Sequence, residues 1–289
     1  MGRLVYLNGD FLPEDRASVS IFDRGLLYGD GLFETVRAYG GRLFRLDRHL
    51  ERLADSARQI GLPPIGDLSG PANELLARNS LADAYLRITV TRGVGLGLEA
   101  TETSPTVLII ARPLNLPPPE TYARGYAVRI VPAEHARGAA LPGLKSLCYL
   151  DKILARRRAR EQGADEALLV NSAGALTEAA ASNVFLVLGG RLVTPALDQG
   201  VLPGITRDAV IELARDVELS VEEEVVPAGL LRDAEECFLT NSIMEIMPVT
   251  RADDYLIGRG RPGPITAQLR QAYAELVRRE LGLAGREAT

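Results

Sequence analysis

The 289 residues contain only two cysteines and two histidines. Cys148 and Cys237 are too few for a disulfide framework or a structural zinc set, and their apolar neighbours predict reduced, buried thiols. His49 and His135 belong to no HExxH or similar ligand pair, so a histidine triad or metal cage has little to draw on, and no metal is expected. No apolar run reaches the roughly 18 residues that a membrane span needs. The opening Met1-Gly2-Arg3-Leu4-Val5 lacks the apolar stretch of a secretion signal, which predicts a cytoplasmic protein without a membrane partner. A net charge of -5 lacks the basic face that phosphate neutralisation requires, so nucleic acid is not expected as a partner. With 46% apolar and 25% charged residues, the composition is that of a folded globular chain long enough for one large domain or two ordinary ones.

Lysine is scarcer still relative to its usual abundance. Of 33 basic residues only Lys145 and Lys152 are lysines, the remainder being arginine. Arginine supplies a fixed positive charge but never a neutral amine, whereas a desolvated lysine can lose its proton and attack a carbonyl. Lys152 opens the charged stretch Asp151-Lys152-Ile153-Leu154-Ala155-Arg156-Arg157-Arg158 and reads as part of a solvated helix face. Lys145 stands in Leu141-Pro142-Gly143-Leu144-Lys145-Ser146-Leu147-Cys148-Tyr149-Leu150, where apolar neighbours on both sides predict partial burial. Burial disfavours its charge and makes the amine available.

Turn and periodicity signals give an alternating α+β chain. Strands at 4–7 and 31–39 are followed by the turns Asn8-Gly9-Asp10 and Gly40-Gly41. Leu50, Leu53, Ala57 and Ile60 fall at helical spacing, with Asp47 as the expected N-cap and Gly61 as the stop. A helix over 71–81 and strands at 84–91 and 106–112 complete a first unit, ended by the connector Pro117-Pro118-Pro119. The second half predicts helices at 151–162, 206–217 and 265–281, with strands at 166–170, 183–188, 192–195, 219–226 and 237–241. Domain boundaries are placed at 1–115, a 116–125 linking loop, and 126–289.

Three more segments carry chemistry. In Leu202-Pro203-Gly204-Ile205-Thr206-Arg207 a tight turn enters a helix whose free amides suit an anion. Ala175-Leu176-Thr177-Glu178-Ala179-Ala180-Ala181-Ser182-Asn183 sets one carboxylate among small residues, where an ordinary N-cap is the alternative reading. In His49-Leu50-Glu51-Arg52-Leu53, His49 and Arg52 share a helix face, with a surface salt bridge as the alternative for Arg52.

Together these segments resemble the fold type IV pyridoxal-phosphate enzymes, the class IV group of branched-chain aminotransferases, D-amino acid aminotransferases and aminodeoxychorismate lyases. The resemblance runs from Tyr6-Leu7-Asn8-Gly9 through Asp23-Arg24-Gly25-Leu26-Leu27-Tyr28-Gly29-Asp30-Gly31-Leu32-Phe33-Glu34 and Phe44-Arg45-Leu46 to Pro248-Val249. It implies an α+β chain of two domains, a small N-terminal α/β domain and a larger C-terminal pseudo-barrel that binds pyridoxal 5'-phosphate. Lys145 matches the lysine that forms the Schiff base and then moves the substrate Cα proton. Glu178 matches the carboxylate that keeps the pyridine nitrogen protonated. Arg52 matches the phosphate-binding arginine, joined by Ile205, Thr206, Asn241 and Ser242, while Tyr149 matches the O3' neighbour and Leu202 the ring-face contact. Thr35, Arg37, Tyr85 and Arg87 match the substrate side.

Specificity points two ways. Tyr85-Leu86-Arg87, Arg37-Ala38-Tyr39 and Val90-Thr91-Arg92-Gly93-Val94-Gly95 look like the branched-chain aminotransferases. Phe33-Glu34-Thr35-Val36-Arg37 and Thr240-Asn241-Ser242-Ile243-Met244 look more like the lyases. The expected activity is transamination between a branched-chain or apolar amino acid and the 2-oxo acid 2-oxoglutarate. The alternatives are an aminodeoxychorismate lyase forming 4-aminobenzoate and pyruvate, or a D-amino acid aminotransferase. A homodimer is implied by the resemblance alone.

Overall fold

The computed structural model describes residues 2–99, 104–131 and 143–283, which leaves His135, Leu141 and Pro142 outside the described residues. The chain divides into two compact units, one of Met1–Asn115, Leu144–Cys148 and Arg279–Thr289, the other of Leu116–Gly143 and Tyr149–Arg278.

In the first unit β1 (Leu4–Leu7), β2 (Asp10–Pro13), β3 (Gly31–Tyr39), β4 (Arg42–Leu43), β5 (Ala84–Thr91) and β6 (Thr106–Pro113) form one antiparallel sheet in the order β2-β1-β6-β5-β3-β4. Two hairpins turn through pairs of positive-φ residues, Asn8-Gly9 and Gly40-Gly41, as the right-handed twist of the flanking strands requires. Alternation along β3 divides its side chains: Leu32, Val36 and Ala38 join the buried cluster with α2 (Leu46–Gln59) and α3 (Ser69–Arg78), while Phe33, Thr35, Arg37 and Tyr39 take the opposite face. Asp47 does not cap α2. Arg45, in the left-handed region, occupies the cap, and Asp47 lies in the first turn, where its charge suits the positive end of the helix. Pro71 falls inside the first turn of α3, where its missing N–H costs nothing. A five-residue helix, α1 (Arg24–Tyr28), is capped by the Asp23 side chain.

The segment around Lys145 is held on β3. Strand β4 pairs only with Ala38 and Tyr39, so the same edge is open at the start of β3. Phe33 N donates to the Lys145 carbonyl at 2.9 Å, Leu147 N donates to the Gly31 carbonyl at 2.9 Å, and Ser146 bridges to Leu32. Cys148 is exposed here, contrary to the burial expected of it; only Cys237 is buried.

The second unit is built on a ten-stranded sheet. Its strands are β7 (Tyr126–Val131), β8 (Glu166–Val170), β9 (Ala175–Ala179), β10 (Asn183–Leu188), β11 (Arg191–Pro195), β12 (Val221–Glu224), β13 (Val226–Pro227), β14 (Glu236–Asn241), β15 (Glu245–Ala252) and β16 (Tyr255–Leu256). The order is β12-β11-β10-β14-β15-β7-β8-β9-β13, with β16 on β15. Every residue of β8 is buried, as in a strand covered on both faces. Helices α4 (Pro119–Arg124), α5 (Leu150–Glu161), α6 (Ile205–Asp216) and α7 (Pro264–Leu281) complete the described α-helices, with short 3-10 turns at Leu197–Gln199 and Ala228–Arg232. The proline run feeds α4, with Pro119 at its first position. Among the described residues no helix is long and apolar enough to cross a membrane, and no group of acidic, histidine or cysteine side chains could hold a metal.

Candidate active site

In the first unit, Lys145 is part of a cluster on the face of the sheet opposite the helices. Its Nζ lies 4.5 Å from the centre of the Phe33 ring, and the Arg87 guanidinium lies 3.7 Å from the same ring. The register pairs Thr35 with Arg87 and Arg37 with Tyr85, so alternation brings these four residues to one face, partly exposed beside Phe33. The Arg37 guanidinium sits 4.3 Å from the centre of the Tyr39 ring.

The helix-covered face holds a buried ionic group. Arg52 Nε and Nη2 donate to Glu34 Oε1 and Oε2 at 2.8 and 2.7 Å, and His49 Nδ1 lies 2.7 Å from Glu34 Oε2. Glu34 and His49 are each 1% exposed. Arg52 is therefore no surface partner, because its fork holds a buried carboxylate. Burial opposes ionisation of Glu34, but the Arg52 charge and the hydrogen bonds from His49 and Arg52 overcome it and hold the carboxyl at about 2. Burial pushes His49 below the ordinary histidine range despite Glu34. A neutral imidazole that donates through Nδ1 satisfies the carboxylate.

Hydrogen bonds gather the remaining sequence-predicted residues within the second unit. Glu178 lies on β9 and is no N-cap. Its Oε2 accepts from Leu202 N at 3.2 Å, and Asn183 Nδ2 donates to the Leu202 carbonyl at 2.8 Å. Gly204, which caps α6, is fixed by the same asparagine, because an added Cβ would collide with Asn183 Oδ1. Pinning this turn sets the start of α6, where the amides of Ile205 and Thr206 precede the helical hydrogen bonds at its positive end. Asn241 organises the turn into β15. It donates to Ser182 Oγ at 2.9 Å and to the Ala181 carbonyl at 3.1 Å, and it accepts from Ile243 N and Met244 N at 2.9 and 2.7 Å. Ser242 lies in that turn.

Lys152 overturns its sequence reading. Its Nζ donates to Glu178 Oε1 at 2.7 Å, with the two side chains 26% and 10% exposed, and it lies 5.3 Å from the centre of the Tyr149 ring. Burial works against its charge, yet the Glu178 carboxylate, with Tyr149, outweighs it and lifts the ammonium above the ordinary lysine range. The missed signal was periodicity. Lys152, Ala155 and Ala159 follow i, i+3, i+7, and the two alanines pack against β7 and β8. Arg157, Arg158 and Arg160 are exposed, and their charge masks that spacing.

Residues 31–252 match the family of amino-transferase class IV. The chain belongs to the class IV aminotransferases. A putative branched-chain-amino-acid aminotransferase of Methanocaldococcus jannaschii is 40% identical over 94% of this chain and 96% of its own. A D-alanine aminotransferase of Bacillus licheniformis is 34% identical over 93% of this chain and 95% of its own. Among solved structures, the branched-chain aminotransferase of the thermophilic archaeon Thermoproteus uzoniensis with norvaline aligns at a TM-score of 0.88 and 32% identity, covering 98% of this chain and 96% of that one. As a class IV aminotransferase, the chain has the mixed helix and sheet architecture of the fold type IV enzymes, in two units.

Proposed function

We propose that this class IV aminotransferase uses pyridoxal phosphate to move an amino group between a branched-chain or otherwise apolar amino acid and 2-oxoglutarate, with Lys145 as the reactive amine. The observation that carries this reading is the contrast between the two lysines. The Lys152 charge is committed to Glu178, so carbonyl chemistry falls to Lys145. Similarity over nearly the whole chain to the Methanocaldococcus jannaschii relative supports the branched-chain assignment.

The donor set fits a phosphorylated pyridine: an amine, a buried carboxylate, an arginine, and a helix start beside a hydroxyl-bearing turn. When bound, the cofactor supplies an electron sink for charge left at the substrate Cα. Lys145 Nζ binds the carbonyl and carries the Cα proton. Glu178 retains the ring-nitrogen proton, and Arg52, Ile205, Thr206, Asn241 and Ser242 hold the phosphate. Tyr149 orients O3' and Leu202 covers the ring, while Thr35, Arg37, Tyr85 and Arg87 shape the substrate side. The proposed domain division runs 1–115, 116–125 and 126–289. A homodimer in the cytoplasm is part of the same proposal, supported by the exposed apolar side chains Ile21, Leu26, Leu96 and Leu98 of the first unit.

Mixing the holoenzyme with single amino donors tests the substrate class. L-leucine, L-isoleucine and L-valine should each convert the cofactor absorbance to that of the pyridoxamine form. A response confined to D-alanine would overturn the assignment in favour of a D-amino acid enzyme. No conversion by any donor, with pyruvate released from aminodeoxychorismate, would establish the lyase instead.

A further inference from the structure

Glu178 is held from two sides within the second unit. Its Oε2 takes the Leu202 amide and its Oε1 takes the Lys152 ammonium at 2.7 Å, on the buried face of α5. The Tyr149 ring lies against the same ammonium. The ammonium adds a positive charge, partly screened from water, beside the one side chain assigned to the ring nitrogen.

We propose that Lys152 is a positioning residue which, by its charge on Glu178, sets how tightly that carboxylate retains the proton on the cofactor's ring nitrogen. The inference rests on the pyridoxal-phosphate reading above. The pair carries no net charge, so it holds the ring proton less tightly than Glu178 would alone. Methionine at 152 fills the space without charge, glutamine keeps a donor without charge, and arginine keeps the charge.

The test is a base titration of holoenzyme reconstituted with ring-15N pyridoxal phosphate, with the 15N chemical shift reporting the ring proton. Lys152→Met and Lys152→Gln should both raise the ring nitrogen's proton affinity by about tenfold, moving the transition up by about one pH unit. Lys152→Arg should titrate like the native enzyme. Lys152→Gln, which can still bond to Glu178, guards against an effect of lost packing alone. Identical 15N shifts at every pH in the native, Lys152→Met and Lys152→Gln proteins overturn the proposal. So does a Lys152→Gln titration that matches the native one while Lys152→Met alone moves. Borohydride trapping on the same samples separates the two readings. Pyridoxyl fixed at Lys145 with an unmoved titration defeats only the role of Lys152, whereas no pyridoxyl at Lys145 defeats the cofactor reading itself.

Discussion

Each unit contains a buried carboxylate paired with a cation, and the two pairs are built differently. In the first unit Glu34 is 1% exposed, and the Arg52 fork and His49 occupy both of its oxygens. In the second unit Glu178 meets one ammonium and one backbone amide, and its lysine partner keeps 26% of its side-chain surface. A planar fork with an imidazole uses up the directions in which a carboxylate accepts, whereas an ammonium is a point charge that leaves others open. The first pair is suited to tying β3 to α2 and so to orienting Arg52 for its proposed phosphate contact, and the second to holding a charge that a proposed ligand can still meet.

Truncating each cation is the strongest challenge to that contrast. Arg52→Ala strands a buried charge and should cost about 3–5 kcal/mol in urea unfolding of the apoprotein. Lys152→Ala breaks a partly exposed pair whose carboxylate keeps its backbone amide and should cost only about 1 kcal/mol. Equal losses, or a larger loss at Lys152, would erase the distinction.

Acid sharpens it with a smaller effect. The Glu34 carboxyl is depressed from an ordinary 4.5 to about 2. Its contribution is therefore fully present above 4.5 and is lost as pH falls towards about 2. Denaturation midpoints followed between those values should decline in the native protein and decline less in Glu34→Gln, measured relative to each protein's own midpoint at neutral pH. Parallel declines would remove Glu34 as the source.

Much of this was legible in the sequence, for identifiable reasons. The hairpins at Asn8-Gly9 and Gly40-Gly41 declare themselves because left-handed turn positions restrict residue choice, and the scarcity of lysine is what brings Lys145 forward as the proposed reactive amine. The strand carrying Glu178 was not legible: alanine is a poor strand former, and β9 exists because β8 and β13 pair with it. Pro248 hid β15 in the same way, since proline argues against an interior strand. Charge density hid the burial of Lys152, although the spacing of Ala155 and Ala159 marked its face. Cys148 misled because its apolar neighbours predict burial, whereas the segment holding it crosses one edge of β3 and leaves the thiol exposed.

In the proposed function the two lysines are chemically unlike, Lys145 a nucleophile and Lys152 a fixed charge on Glu178. Borohydride reduction of the holoenzyme followed by peptide mapping tests it directly. A single pyridoxyl adduct at Lys145 with Lys152 unmodified is expected; an adduct at Lys152, or none at either residue, would overturn the proposed roles.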